Sequence, residues 1–100
     1  MNRDAALRII RQHESELKAL GIESLSLFGS MARGEAADTS DVDVAVRLRE
    51  GPHGFAYFGR LDRIEARLRE ILGRPVDVVP EPARAARIQL AIERDRILAY

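Results

Sequence analysis

The period of the apolar residues changes several times along this chain, and each change marks an element. Leu7, Ile10, Leu17 and Leu20 recur at helical spacing, with His13 and Glu14 interrupting the stripe. This predicts an amphipathic helix over Arg3 to Leu20, stopped by Gly21, whose role is to cover one face of a sheet. Ser24 to Phe28 reads as a short strand with Leu25 and Leu27 on one face, broken by Gly29-Ser30. Ser30 to Arg33 suits one helical turn, and Gly34 to Ser40 is polar and loop-like. Asp41 to Leu48 alternates as a central strand. Side chains repeat every second residue there, so Asp41, Asp43 and Ala45 share one face and Val42, Val44, Val46 and Leu48 the other.

The second half repeats the alternation of helix and strand. After a loop at Glu50 to Gly54, the positions Phe55, Phe58, Leu61, Ile64, Leu68, Ile71 and Leu72 predict an amphipathic helix from Phe55 to Leu72, capped by Gly73. A third strand, Val76 to Val79, opens after Arg74-Pro75 and closes at Pro80 and Pro82. Ala83 to Arg94 reads as a helix with Ile88, Ala91 and Ile92 on its apolar side. Arg96 to Tyr100 fits either its continuation or a terminal strand. The order is helix, strand, strand, helix, strand, helix, which predicts an α/β or α+β two-layer fold with a small mixed sheet covered by helices.

Composition narrows the class. A chain of 100 residues predicts one domain over 1–100. Sixteen basic and sixteen acidic side chains cancel, so the broad cationic field of a general nucleic-acid binder is absent and no direct nucleic-acid contact is expected. With no cysteine, disulfides, thiol catalysis and Cys-based zinc sites are excluded. No apolar run reaches membrane-spanning length, and the opening MNRDAALRIIRQ lacks the apolar core of a signal peptide, so a cytoplasmic location without membrane association is expected.

The candidate chemistry gathers between Leu25 and Val46. Gly29 lets backbone approach a ligand, Ser30 offers a hydroxyl and opens a turn with free N–H groups, and Arg33 is close enough in sequence to reach the same phosphates. Asp41 and Asp43 stand two apart on one strand face. Side by side they repel and add nothing to packing, but a divalent cation would give the pair a purpose. Asp77 sits in the short apolar run Val76 to Val79 and joins the same face if that strand lies beside the central one. Each feature alone has a plain structural reading: a turn for Gly29-Ser30, exposed carboxylates for Asp41 and Asp43, an edge-protecting charge for Asp77. His13 reads as surface, His53 as a solvated loop residue, Tyr57 and Phe58 as core or interface, and Tyr100 as a frayed end. Arg60, Arg63, Arg67 and Arg69, mixed with Asp62, Glu65 and Glu70, read as a solvated helix face.

In combination the features are far more specific. Gly29-Ser30-Met31-Ala32-Arg33-Gly34, then Ser40-Asp41-Val42-Asp43, then Asp77 on a later apolar strand, resemble the minimal nucleotidyltransferase (MNT) family of the DNA polymerase beta–like nucleotidyltransferase superfamily. The resemblance spans essentially the whole chain. It implies that Gly29 and Ser30, with Arg33, bind the phosphates of ATP, and that Asp41, Asp43 and Asp77 are catalytic and hold Mg²⁺, two ions being expected. It further implies transfer of AMP to a hydroxyl, in this family that of a tyrosine on a HEPN-domain toxin, which the MNT protein silences as its antitoxin. A domain little larger than the catalytic core has little surface to cradle a second substrate, so a partner is expected to supply the acceptor. Two alternatives stand beside this reading: an antitoxin that binds nucleotide but acts by contact alone, and a small-molecule nucleotidyltransferase of the aminoglycoside type.

Overall fold

The computed structural model describes residues 1–35, 41–51 and 53–100. Among these described residues five helices and four strands follow one another: α1 (Arg3–Gln12), α2 (Glu14–Ala19), β1 (Ile22–Phe28), α3 (Gly29–Arg33), β2 (Val42–Leu48), α4 (Phe55–Leu72), β3 (Val76–Pro80), α5 (Ala86–Asp95) and β4 (Ile97–Leu98). The expected loop residues 36–40, Ser40 among them, and residue 52 lie outside the described residues.

The strands form one mixed sheet in the order β3-β2-β1-β4. β2 runs antiparallel to β1 and parallel to β3, and β4 lies antiparallel to β1. The alternation in β1 and β2 sorts side chains between two cores. Leu25, Leu27, Val42, Val44 and Val46 pack with Ala6, Leu7, Ile10, Leu17, Ile64, Leu68 and Leu72 from α1, α2 and α4. On the opposite face Phe28 and Ala45 meet Ile92 of α5, with Val79, Ala83 and Ile88 around them. The mixed sheet covered by helices is the architecture expected from the alternation, with α5 adding a partial layer on the second face.

Several details depart from the pattern. The helix expected over Arg3 to Leu20 is two helices that break at His13, where the polar pair His13-Glu14 interrupts the stripe. His13 leaves helical geometry at φ −107°, ψ 16°, and its Nδ1 bonds the Ile9 carbonyl at 2.9 Å. The break lets α2 turn separately, so that Leu17 enters the core fully buried. Asn2 starts α1 by accepting the Ala5 amide at 2.8 Å, which satisfies one of the free N–H groups at a helix start.

The α4 boundaries match the sequence pattern, but its inward row does not. Ile64, Leu68 and Leu72 are buried, each contributing roughly 1.5–3 kcal/mol of burial. One helical step before Ile64, the inward position is Arg60 rather than an apolar residue. Arg60 is 8% exposed, not part of a solvated face. Its guanidinium donates to the carbonyls of Gly21 (2.9 Å), Arg49 (2.9 Å) and Leu20 (3.4 Å), closing the ends of α2 and β2. Phe55 and Phe58, expected on the apolar side, remain 96% and 57% exposed.

The chain end is also ordered rather than frayed. The Leu25 amide donates to the Tyr100 carbonyl at 3.0 Å, and the Tyr100 hydroxyl donates to the Ile22 carbonyl at 3.3 Å. Within residues 96–100 the helix does not continue, and Ile97–Leu98 form the short strand β4. Arg96 leaves α5 with extended geometry and bonds Ser26 and Glu81 across the sheet. Among the described residues no helix is long and apolar enough to cross a membrane.

Candidate active site

Three backbone events bring the predicted site residues together. First, β1 ends at Phe28, which is paired with Asp43 of β2. Next, the chain turns at Gly29 with φ +72°, a left-handed conformation that side chains disfavour. A Cβ at Gly29 would lie 2.4 Å from Asp43 Oδ2, so the position needs glycine for space as well as for conformation. Finally, β3 pairs parallel to β2 in the register Asp43↔Asp77, which sets the two aspartates side by side on neighbouring strands.

Ser30 follows in the first turn of α3, half-buried. Met31 and Ala32 anchor that short helix in the main core, and Gly34 ends it at φ 74°. Asp41 is exposed and lies just before β2 rather than inside it. Asp43 is half-buried and Asp77 exposed.

The electrostatics follow from this crowding. Burial, then the neighbouring charge and hydrogen bond of Asp77, then the charge of Asp41, push the Asp43 carboxyl up to about 6, against a smaller opposing pull from Arg33. A carboxylate destabilised by its neighbours is one that a cation would stabilise. Among the described residues no three His, Cys, Asp or Glu side chains form a ready-made metal cage. The donor set, a pair of hard oxygen ligands on adjacent strands with Asp41 nearby, still fits Mg²⁺. That ion is usually held by one or two carboxylates together with substrate phosphates.

Arg33 is placed differently from the other predicted residues. Its guanidinium donates to Asp95 at the end of α5 (2.7 Å) and to Glu35 (2.9 Å), so it ties α3 to α5. Arg94 and Arg33 together hold the Asp95 carboxyl down to about 2.

Beside the aspartates opens a cleft of about 520 Å³. Phe28, Asp43, Asp77, and Arg87 and Ala91 of α5 are among the residues that line it. Arg87 was not visible as a site residue in the sequence, because helical periodicity singles out only its apolar neighbours Ile88, Ala91 and Ile92. No hydrogen bond or ion pair engages its guanidinium among the described residues. His53 is exposed and stands away from the carboxylates, in the wall of a separate hollow with Arg49, Tyr57 and Glu81.

Comparison with known proteins gives the family and the fold. The nucleotidyltransferase domain family model matches residues 10–98. Protein adenylyltransferase MntA of Thermococcus cleftensis is 32% identical over 88 residues, covering 87% of this chain and 85% of that protein. The solved structure of a provisionally assigned minimal nucleotidyltransferase superposes with a TM-score of 0.77 at 33% identity, over 97% of this chain and 95% of that one. The MNT antitoxin solved in complex with a tri-AMPylated HEPN toxin of Shewanella oneidensis shares the fold. It matches with a TM-score of 0.63 at 15% identity, over 94% of this chain and 71% of that one.

Proposed function

The chain belongs to the nucleotidyltransferase domain family, and on that premise we propose that it is an Mg²⁺-dependent protein adenylyltransferase. It moves AMP from ATP to a tyrosine hydroxyl of a HEPN-domain toxin and so acts as that toxin's antitoxin. The observation that carries this reading is the Asp43↔Asp77 register beside the Gly29 turn. It assembles paired carboxylates next to a close-approach backbone position, and the sheet has no structural use for such a pair.

In the reaction, the acceptor oxygen forms a bond to the α-phosphorus while the bond from that phosphorus to the α,β-bridging oxygen breaks. Pyrophosphate leaves and the hydroxyl proton passes to solvent. Asp41, Asp43 and Asp77 would hold Mg²⁺, which when bound offsets charge on the phosphates and favours the ionised acceptor. Gly29 admits the triphosphate close to the backbone, and Ser30 hydrogen-bonds its outer phosphates. Asp77, the more exposed of the strand pair, faces the acceptor side and orients the incoming hydroxyl. Arg33 serves the phosphates if it leaves Asp95, and Arg87 offers an unengaged cation in the cleft lined by Asp43 and Asp77. The relatives support the reaction class: the Thermococcus protein is named a protein adenylyltransferase, and the Shewanella complex contains an AMPylated HEPN toxin with its MNT antitoxin. AMP on the toxin adds charge and bulk, which would obstruct an RNA-binding surface.

Intact-mass spectrometry tests the reading. The protein is incubated with ATP, Mg²⁺ and its HEPN partner. The expected result is a mass gain of one or more AMP groups on the partner, abolished by Asp43→Asn. A tight complex without any mass change would instead establish an antitoxin that acts by contact.

A further inference from the structure

The acceptor side of the site opens onto the edge of the sheet. β3 is an edge strand, and the hydrogen bonds at its two ends fix which way its backbone groups point. The Val42 amide donates to the Pro75 carbonyl at 3.0 Å, and the Glu81 amide donates to the Val46 carbonyl at 2.9 Å. In a parallel ladder, backbone groups alternate between the two sides of a strand, so residues 75, 77, 79 and 81 face β2. Val76 and Val78 therefore turn both N–H and C=O outward, and Pro80 turns out a carbonyl alone. Among the described residues no strand pairs with this side.

A groove follows the same edge. The cleft that holds Asp43 and Asp77 and a second hollow of about 290 Å³ share Val78 and Val79 as wall. The second hollow continues between Phe58 and Leu61 of α4, Pro80 at the end of β3 and Ala83 beyond it. Phe58 stands half out of it, 57% exposed, held edge-on against Tyr57 with ring centres 5.6 Å apart.

We propose that this groove is the acceptor-docking site, and that its occupant is an extended segment of the acceptor polypeptide. The segment lies along β3 as an added strand and brings its hydroxyl-bearing residue to Asp77. The inference rests on the transferase reading and adds how the acceptor is held. Two features select a polypeptide over a small molecule. The outward N–H and C=O of Val78 match the main chain of an extended segment, which recognises an open sheet edge in this way. The apolar hollow is continuous with the carboxylate cleft and is set off along the strand from it. From Asp77 to Pro80 is roughly 10 Å at about 3.3 Å per residue, so the segment carries an apolar side chain about three positions from the modified residue, seated against Phe58 and Leu61.

Two substitutions test this, with the protein, ATP, Mg²⁺ and the HEPN partner. Val78→Pro removes an outward N–H and leaves the bonds to β2 in place, since proline is tolerated where its nitrogen faces away from the ladder. Phe58→Ser strips the groove wall at a solvent-exposed position. Each should lower kcat/KM for the partner about tenfold, with KM for ATP changed less than twofold and circular dichroism unaltered for Phe58→Ser. Wild-type rates on the partner for Phe58→Ser, or a loss expressed only in KM for ATP, would overturn the docking assignment. Absence of any AMP transfer by the wild-type protein would instead refute the transferase reading on which it stands.

Discussion

Replacing Asp43 with asparagine should stabilise the metal-free protein while removing its activity. The Asp43 carboxyl is pushed up to about 6 in the fold, from 3.8 for an unperturbed aspartate. Ionising it in the folded state therefore costs more than ionising it in the unfolded chain. Well below 3.8 both states are protonated and no penalty exists. As pH rises through 4 to 6 the penalty grows, and above 6 it is fully present. The rise from 3.8 to about 6 corresponds to at most roughly 3 kcal/mol. Asp43 is only half-buried, so solvent screening reduces this to on the order of 1 kcal/mol. In a domain of this size, about 1 kcal/mol moves Tm by roughly 4–8 °C. Thermal melts of wild type and Asp43→Asn, in chelator at pH 4 and at pH 8, read this directly. The two proteins should melt nearly together at pH 4, and the variant should melt several degrees higher at pH 8. Adding Mg²⁺ with a nonhydrolysable ATP analogue should raise the wild-type Tm and leave the variant unmoved. A variant less stable than wild type at pH 8, or a difference independent of pH, would refute the claim that carboxylate crowding is a cost the fold bears for its site.

Two further substitutions probe the frame around the aspartates. Gly29→Ala should abolish nucleotide binding, measured by titration calorimetry. Its methyl would sit 2.4 Å from Asp43 Oδ2, and the positive φ adds roughly 1–2 kcal/mol of strain that a melt should register. Arg60→Met should lower stability by about 2–3 kcal/mol in urea unfolding, because the carbonyls of Gly21 and Arg49 lose a charged donor. An unchanged midpoint would mean that water replaces the guanidinium there at no cost.

The site was legible in the sequence to the extent that it is written in strands. Period-two alternation fixes which side chains share a face, so Asp43 could be assigned to the face opposite Val42 and Val44 from spacing alone. The register that brings it to Asp77 needed only that β3 lie beside β2. Helical periodicity was a weaker guide, because a helix can run past the layer it covers. α4 begins with Phe55 and Phe58 in solvent and turns Arg60 inward, since the groups to be satisfied there are carbonyls at the ends of α2 and β2. Nothing local to Arg60 announces those carbonyls, which come from residues 11 and 39 positions away. The same limit hid Arg87, whose place in the cleft depends on how α5 crosses the sheet, and Tyr100, whose anchoring depends on β1.

Arg33 is where sequence proximity and observed contacts diverge, and the divergence can be measured. Next to the Gly29-Ser30 turn, it is a natural partner for phosphates, yet it is engaged by Asp95 and Glu35. If nucleotide binding draws Arg33 onto the phosphates, the ion pair to Asp95 must open first, and its strength subtracts from ATP affinity. Asp95→Asn weakens that hold on Arg33 while leaving its side chain in place. Arg33 is partly exposed but the Asp95 side chain is only 4% exposed, so salt screens the pair in part and the effect should shrink without vanishing as ionic strength rises. ATP affinity at low salt, read by fluorescence anisotropy of a labelled analogue, should therefore increase severalfold in Asp95→Asn, with a smaller gain at high salt. Arg33→Ala should bind more weakly than either. Equal affinities for wild type and both variants would mean that Arg33 is a strut between α3 and α5 and no ligand of the nucleotide. The phosphates would then rest on Gly29, Ser30 and whatever charge Arg87 supplies from across the cleft.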